Sequence, residues 1–260
     1  MFKVLKYSFY DLSRSRWIYL YFAFFLLTGF GLLYLSNDLP KAIVSLMNIL
    51  VTLCPLVGII FGSLYYYNSR EFVELLLGLP LRRKSIFLGK YLGLSTSLSL
   101  SFLVGTGIPF LFYGIMVSGR VWDFVILLFV GVVLTFIFSA LAFLIATASN
   151  NSIRGFSFAL VVWLLLAFIY DGIFLLSLLV FDQYPLDSYA LLVTFLNPID
   201  LSRVLIMLKL DLSAMMGYTG AVFHKFLGTN LGMILSILSL LAWTVIPLWI
   251  FTRVASKKDF

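Results

Sequence analysis

No charged side chain interrupts the stretch Phe124-Val-Ile-Leu-Leu-Phe-Val-Gly-Val-Val-Leu-Thr-Phe-Ile-Phe-Ser-Ala-Leu-Ala-Phe-Leu-Ile-Ala-Thr-Ala148. A helix needs about 20 mostly apolar residues to cross a bilayer, and this stretch is long enough. Five further stretches share its character. The sequence therefore predicts an all-α integral membrane protein that forms one domain over residues 1–260. The predicted transmembrane helices are 17–35, 42–67, 91–117, 124–148, 156–181 and 231–252.

The composition makes lipid the solvent for most of the surface. Hydrophobic residues are 62% of the chain, charged residues are 11%, and the mean hydropathy is +1.09. A soluble domain carries roughly 25% charged residues, which is what covers its surface in water. The basic residues lie at the ends of apolar stretches and form no single patch, so the pattern disfavours a nucleic-acid partner.

The basic residues are distributed unevenly between alternate loops. Thirteen of the 18 fall in the N-terminal segment, the loops after the second and fourth spans, and the C-terminal tail. Since cytoplasmic loops carry the excess of lysine and arginine, both termini are predicted to be cytoplasmic. The thirteen are Lys3, Lys6, Arg14, Arg16, Arg70, Arg82, Arg83, Lys84, Lys90, Arg154, Arg253, Lys257 and Lys258.

Two segments predicted on this side are amphipathic. Residues 1–16 alternate apolar and basic side chains, which predicts an interfacial helix in the headgroup plane; a plain basic leader that only sets topology is the alternative. The loop after the second span carries Phe72, Leu75, Leu76 and Leu79 at helical spacing. An amphipathic helix in such a loop indicates a docking partner. The basic run 82–84 fits docking or topology setting.

The predicted outer cap, residues 182–227, is the longest region without a span. Asn197-Pro-Ile-Asp200 is typical of a helix start, with asparagine as N-cap, proline at the first position and an acid in the first turn. This helix is expected to end near Leu210, too short to cross the bilayer. It therefore lies on the interface or dips in against protein. A second short helix is expected over 218–227.

Few residues in the chain could do chemistry. With one histidine (His224), no P-loop and no Gly-x-Ser-x-Gly, the sequence predicts no catalytic residue, no metal site and no ATP site of its own. Met207, Met215 and Met216 near His224 could ligate Cu(I) or simply pack. The single cysteine, Cys54, is expected to be a small buried residue.

Asp171 is the one ionisable residue predicted well inside a span. An acid in that position is either functional, as in an ion-coupled carrier, or a hydrogen-bonded group that orients helices. Glycine pairs at GxxxG spacing predict close helix contacts, within one chain more often than between copies. The pairs are 58 and 62, 89 and 93, and 228 and 232.

A family resemblance rests on four stretches. Arg70-Glu71 leads into Glu74-Leu-Leu-Leu-Gly-Leu-Pro80, followed by Arg83 and Phe87-Leu-Gly-Lys-Tyr-Leu-Gly93. Further along come Tyr170-Asp-Gly-Ile-Phe-Leu-Leu-Ser-Leu-Leu179 and Leu196-Asn-Pro-Ile-Asp-Leu-Ser-Arg203. With six spans and an N-terminal interfacial helix, the first of these stretches, Arg83 and Leu88-Gly-Lys90 resemble the ABC-2 type of ABC transporter permease. The stretches 75–80 with 87–93, 170–179 and 196–203 carry a narrower resemblance. The narrower resemblance is to the membrane subunit of the nitrous-oxide reductase maturation system.

The resemblance implies a homodimer in the bacterial inner membrane above two cytoplasmic ATPase subunits, which bind ATP and magnesium. A coupling helix would dock in the ATPase, and residues 149–154 would form a second contact. A periplasmic copper-site assembly factor would face the outer cap, and the task would be export of a sulfur or copper-related species or mechanical work on that partner. The implied coupling residues are Arg70, Glu71, Phe72, Glu74, Leu75, Leu76, Leu79, Pro80, Arg83, Asn151 and Arg154. The implied outer or intramembrane residues are Asp171, Asn197, Asp200 and Arg203.

Three functions remain open from the sequence. The first is the ABC-2 permease, for this cargo or another. The second is a non-transporting membrane scaffold whose loops gather partners. The third is an ion-coupled carrier that uses Asp171.

Overall fold

The computed structural model describes residues 2–36, 38–78, 82–181, 187–210, 223 and 225–257. In this part of the chain all regular secondary structure is helical, and there is no strand. Its helices are α1 (Phe2–Ser13), α2 (Arg16–Ser36), α3 (Leu39–Asn68), α4 (Arg70–Leu77), α5 (Arg83–Phe112), α6 (Val121–Ala148), α7 (Ser152–Leu164), α8 (Tyr170–Val180), α9 (Asp187–Leu196), α10 (Pro198–Lys209) and α11 (Asn230–Lys257).

Within the described residues, six helical segments are long and apolar enough to cross a membrane, as the sequence predicts, and the bent pair of α9 and α10 reaches that length and apolarity only when its two helices are taken together. The six are α2, α3, α5, α6, the continuous α7–α8 segment and α11. Helices α7 and α8 run into each other through a π-helical turn at Leu165–Ile169. Helix α5 begins at Arg83, earlier than the expected start of the third span, because its first turns pack against α1 and α4.

Close glycine contacts form the centre of the bundle. The most extensive contact joins α3 to α6, and Gly58 and Gly62 of α3 face the backbone and small side chains of α6. Gly89 and Gly93 of α5 face α1 in the same way. These two GxxxG pairs therefore make contacts within the chain, as expected. Helices α2 and α11 pack on the outside of this centre.

The Gly62 contact predicts a measurable loss of stability on adding one methyl group. A Cβ atom at Gly62 would lie 2.5 Å from the Ala142 Cβ, so α3 and α6 would have to separate. We expect Gly62→Ala to lower the free energy of unfolding by about 1–3 kcal/mol, measured by thermal denaturation in detergent. Gly107→Ala is the control, because a Cβ there meets nothing within 4 Å. Equal melting temperatures for the two variants would contradict this packing.

Two sharp turns shape the end of the bundle away from α4. Gly114 and Gly119, between α5 and α6, have φ values of 85° and 70°, which side chains with a Cβ rarely adopt. Helices α9 and α10 meet at 116°, where Asn197 caps α10 with Pro198 in its first turn. Helix α10 ends at Lys209, close to the expected end. The second short helix expected at 218–227 lies mostly outside the described residues.

Candidate functional site

One end of the bundle gathers the segments that the sequence predicts to be cytoplasmic. We call it the α4 end: it contains the last turns of α3 and α6 and the first turns of α5 and α7. The Tyr67 hydroxyl of α3 donates a hydrogen bond to the Ser149 carbonyl, 3.4 Å away, at the end of α6. The two predicted partner-facing segments are therefore neighbours, although 82 residues separate these two partners in the chain.

Helix α4 presents a narrow outward face and buries the opposite one. Val73 is buried, and Phe72 and Leu76 turn toward the body of the bundle. Glu71, Glu74 and Leu75 point outward, and Leu75 is 74% exposed. The expected apolar face of Phe72, Leu75, Leu76 and Leu79 is therefore divided: its described members hold α4 to the bundle, apart from Leu75, which is solvent-facing.

The start of α7 adds a second exposed patch. The Asn151 side chain accepts hydrogen bonds from the Ile153 and Arg154 amides and caps the helix. Ile153 is 75% exposed beside Arg154. We call Glu71, Glu74, Leu75, Ile153 and Arg154 the α4–α7 surface. It places one exposed apolar side chain among charges on each helix.

The other expected coupling residues take different places. Arg70 donates a hydrogen bond from Nε to Glu74 Oε1 at 3.2 Å, along the solvent side of α4. Arg83 is exposed in the first turn of α5. Leu79 and Pro80 lie outside the described residues.

A buried lysine ties α4 to three other helices, and the sequence interpretation missed it. Lys90 of α5 is 2% exposed, and its Nζ donates to the Ser69 carbonyl at 3.3 Å, at the junction of α3 and α4. The same Nζ lies 4.9 Å from the centre of the Phe72 ring and 5.2 Å from that of Tyr65. The Phe72 ring stacks on Tyr7 of α1 at 5.0 Å. This arrangement, which we call the Lys90 latch, fixes the root of α4 through a hydrogen bond and two cation–π contacts.

The opposite end holds a charge cluster formed by Asp171, Asn197, Asp200 and Arg203. Arg203 Nη1 donates to Asp171 Oδ2 at 2.7 Å and lies 3.5 Å from Asp200 Oδ1. The Asn197 Nδ2 group donates to Asp200 Oδ2 and to the Leu166 carbonyl, both at 2.8 Å. Leu166 belongs to the π-helical turn. The cluster therefore ties the α9–α10 corner to the middle of the fifth span.

The cluster brings two carboxylates to one guanidinium. Burial raises the pKa of Asp200, on α10 outside the six long helices, and the nearby Asp171 carboxyl raises it further. Asp171 itself is paired with Arg203 in the cleft that the cluster lines. The pairing with Arg203 fits the interpretation of Asp171 as a hydrogen-bonded group that orients helices.

The copper expectation and the cysteine expectation have different outcomes. Of the candidate copper ligands, Met207 packs against the hydrophobic core. Met215, Met216 and His224 lie outside the described residues, and the part of the chain that is described contains no group of three metal-ligating His, Cys, Asp or Glu side chains. Cys54 is fully buried, as expected, and its Sγ lies 3.6 Å from the Tyr21 hydroxyl.

Comparison with known proteins identifies the family. A family model described as ABC-2 family transporter protein matches residues 41–260. The chain belongs to the ABC-2 transporter family. Its match includes α4, the α4–α7 surface and the charge cluster, and it makes the chain a multi-pass membrane subunit of a transporter.

Two relatives within the family narrow the similarity. The "Probable ABC transporter permease protein NosY" of Stutzerimonas stutzeri is 27% identical over 257 residues, which cover 92% of this chain and 91% of that protein. The protein of the same name from Pseudomonas aeruginosa is 28% identical over 223 residues, covering 78% of this chain and 80% of that protein. The narrower sequence resemblance is thus to NosY.

Proposed function

We propose that this chain is the NosY-like membrane subunit of an ABC transporter that a separate cytoplasmic ATPase drives. The observation that carries the proposal is the similarity to NosY over almost the whole of both proteins. Family membership alone implies an ATPase partner, since such permeases contain no ATP site. ATP and magnesium would be bound by that NosF-like subunit, and this chain would bind neither.

The α4–α7 surface is the proposed ATPase contact. Interfaces are strongest where an exposed apolar side chain fills a pocket and a polar rim excludes water. Leu75 and Ile153 provide the apolar side chains, and Glu71, Glu74 and Arg154 provide the rim. A displacement of α4 would be transmitted through the Lys90 latch to α1, α3 and α5, because the latch holds the start of α4 against all three helices.

The distribution of charge supports the orientation that this contact needs. The α4 end carries the basic segments that the positive-inside rule assigns to the cytoplasm. Both termini would then be cytoplasmic, α1 would lie at the inner leaflet, and the charge cluster would lie toward the periplasm. The protein would reside in the bacterial inner membrane.

We further propose a homodimer that serves the copper-site maturation of nitrous-oxide reductase. The continuous α7–α8 segment exposes large apolar side chains to lipid or to a second copy, with Phe158, Val161, Leu165, Phe168 and Leu176 among them. The α9–α10 corner would face a periplasmic NosD-like protein. The work done would be export of a sulfur or copper-related species, or mechanical work on that partner.

Two experiments test these proposals separately. Co-expression with a NosF-like ABC ATPase should yield one complex with two copies of each subunit by native mass spectrometry. Failure to co-purify in detergent and in nanodiscs would contradict the ATPase-driven permease and favour a scaffold or carrier. Expression in a nitrous-oxide-reducing host that lacks its own NosY should restore copper loading of the reductase. If the complex with the ATPase forms but copper loading is not restored, the chain serves another cargo.

A further inference from the structure

A polar cleft of about 540 Å³ opens between α1 and α4, beside the Lys90 latch. Its lining includes two cationic side chains, Arg14 and Lys90, and one acid, Asp11. Ser15, Asn68 and Ser69 add hydrogen-bonding groups. The cleft therefore carries a net charge of +1 and many donors, which is the chemistry of an anion site.

The ammonium group of Lys90 has the strongest requirement in this cleft for a further hydrogen-bond acceptor. An ammonium has three N–H groups, and within the described residues that of Lys90 donates one hydrogen bond, to the Ser69 carbonyl. Burying a charge is costly unless it is paired. Asp11, the acid in the cleft, faces two cations. One additional negative charge would bring the cleft to neutrality.

The position of the cleft indicates where that charge comes from. Trp17 follows the cleft residues Arg14 and Ser15 and is 62% exposed, and tryptophans in membrane proteins concentrate at the headgroup level. Lys3 and Lys6 are exposed on α1 and would attract anionic lipid to the same surface. A lipid phosphodiester carries one negative charge at neutral pH, whereas free phosphate is a mixture of singly and doubly charged forms.

We propose that the cleft between α1 and α4 binds the phosphodiester of an anionic phospholipid headgroup through Arg14 and Lys90. The bound lipid joins the end of α1, at Arg14, to Lys90 of α5, which itself contacts the start of α4, and so fixes the position of α4 relative to the membrane surface. This binding depends on the two helices lying at that surface and does not depend on which cargo the transporter carries.

Native mass spectrometry of the purified full-length chain tests the site. The probes are palmitoyl-oleoyl phosphatidylglycerol, a diacylglycerol with the same acyl chains, and inorganic phosphate. We expect saturable binding of the phosphatidylglycerol alone. Arg14→Gln should weaken it about ten-fold, the loss of one charged hydrogen bond. Asp11→Asn, which raises the cleft charge, should tighten it. Both residues are exposed, so neither variant is expected to disturb folding.

Arg16→Gln is the matched control, because it removes the same charge two residues away and outside the cleft lining. Equal weakening by Arg14→Gln and Arg16→Gln would reduce the effect to general surface attraction and overturn the proposal. Binding of diacylglycerol as tight as that of phosphatidylglycerol would do the same. Binding of inorganic phosphate without binding of phosphatidylglycerol would overturn the assignment to a lipid.

Discussion

Leu75→Asp is expected to weaken binding of the ATPase roughly 30-fold or more. Leu75 is 74% exposed and lies beside Glu71 and Glu74 on the outward face of α4. A central apolar residue of an interface contributes about 2 kcal/mol or more, and an acid in its pocket adds a desolvation cost. The measurement is the dissociation constant between the permease in nanodiscs and the purified ATPase, by biolayer interferometry.

Val117→Asp is the control for this first prediction. Val117 is 91% exposed, and the substitution adds the same negative charge in the connection between α5 and α6, away from the α4 end. Ile153→Asp should weaken binding by a smaller factor, because the second patch is the minor contact. If Leu75→Asp binds as tightly as Val117→Asp, α4 is not the contact.

Arg203→Met is expected to produce the largest loss of stability among substitutions at the charge cluster. The guanidinium lies 2.7 Å from Asp171 Oδ2 and 3.5 Å from Asp200 Oδ1, so its removal leaves two carboxyl groups without their cation. The groups are partly exposed, and we expect a loss of about 2 kcal/mol in the free energy of unfolding. Thermal denaturation in detergent provides the measurement.

The matched control is Arg120→Met. Arg120 Nη1 lies 3.2 Å from Asp123 Oδ2, but both belong to the same helical turn, and the arginine is more exposed than Arg203. Such pairs contribute less than about 1 kcal/mol. Adding Asp171→Asn to Arg203→Met should restore part of the lost stability, because it removes one of the two facing charges. No recovery in the double variant would contradict the cluster as described.

The Arg203→Met effect should also depend on pH. The raised pKa of Asp200 means that its neutral form is favoured in the folded protein, so the folded state gains relative stability as the pH falls and loses it as the pH rises through that pKa. Without Arg203 the two carboxyl groups repel more at high pH. The melting-temperature difference from the parent protein should therefore grow as the pH is raised.

The sequence was sufficient to predict the helices of the bundle, because the patterns that indicate them are local. Apolar length predicted the six spans, and the Asn-Pro-x-Asp order predicted the start of α10. The glycine spacing in α3 and α5 predicted close contacts, although not which helices they face. Each of these signals needs only neighbouring residues.

What the sequence could not show depends on distant pairs. Asp171 and Arg203 are 32 residues apart, and Lys90 meets Ser69 21 residues away, so no local pattern reports either contact. A lone lysine at the start of an apolar stretch was the available signal for Lys90. The outward direction of Leu75 depended on which side of α4 the bundle covers, and Val73, absent from the expected face, is the buried anchor.

Site-directed labelling tests the orientation on which the ATPase contact depends. Single cysteines at Leu75, Ile153 and Trp122 would be introduced in a Cys54→Ala background, which removes the one native thiol. Trp122 lies in the first turn of α6, at the end opposite α4. A membrane-impermeant maleimide should modify the cysteines at 75 and 153 only in inverted vesicles and the cysteine at 122 only in spheroplasts. Modification of the cysteine at 75 from outside intact spheroplasts would contradict the account.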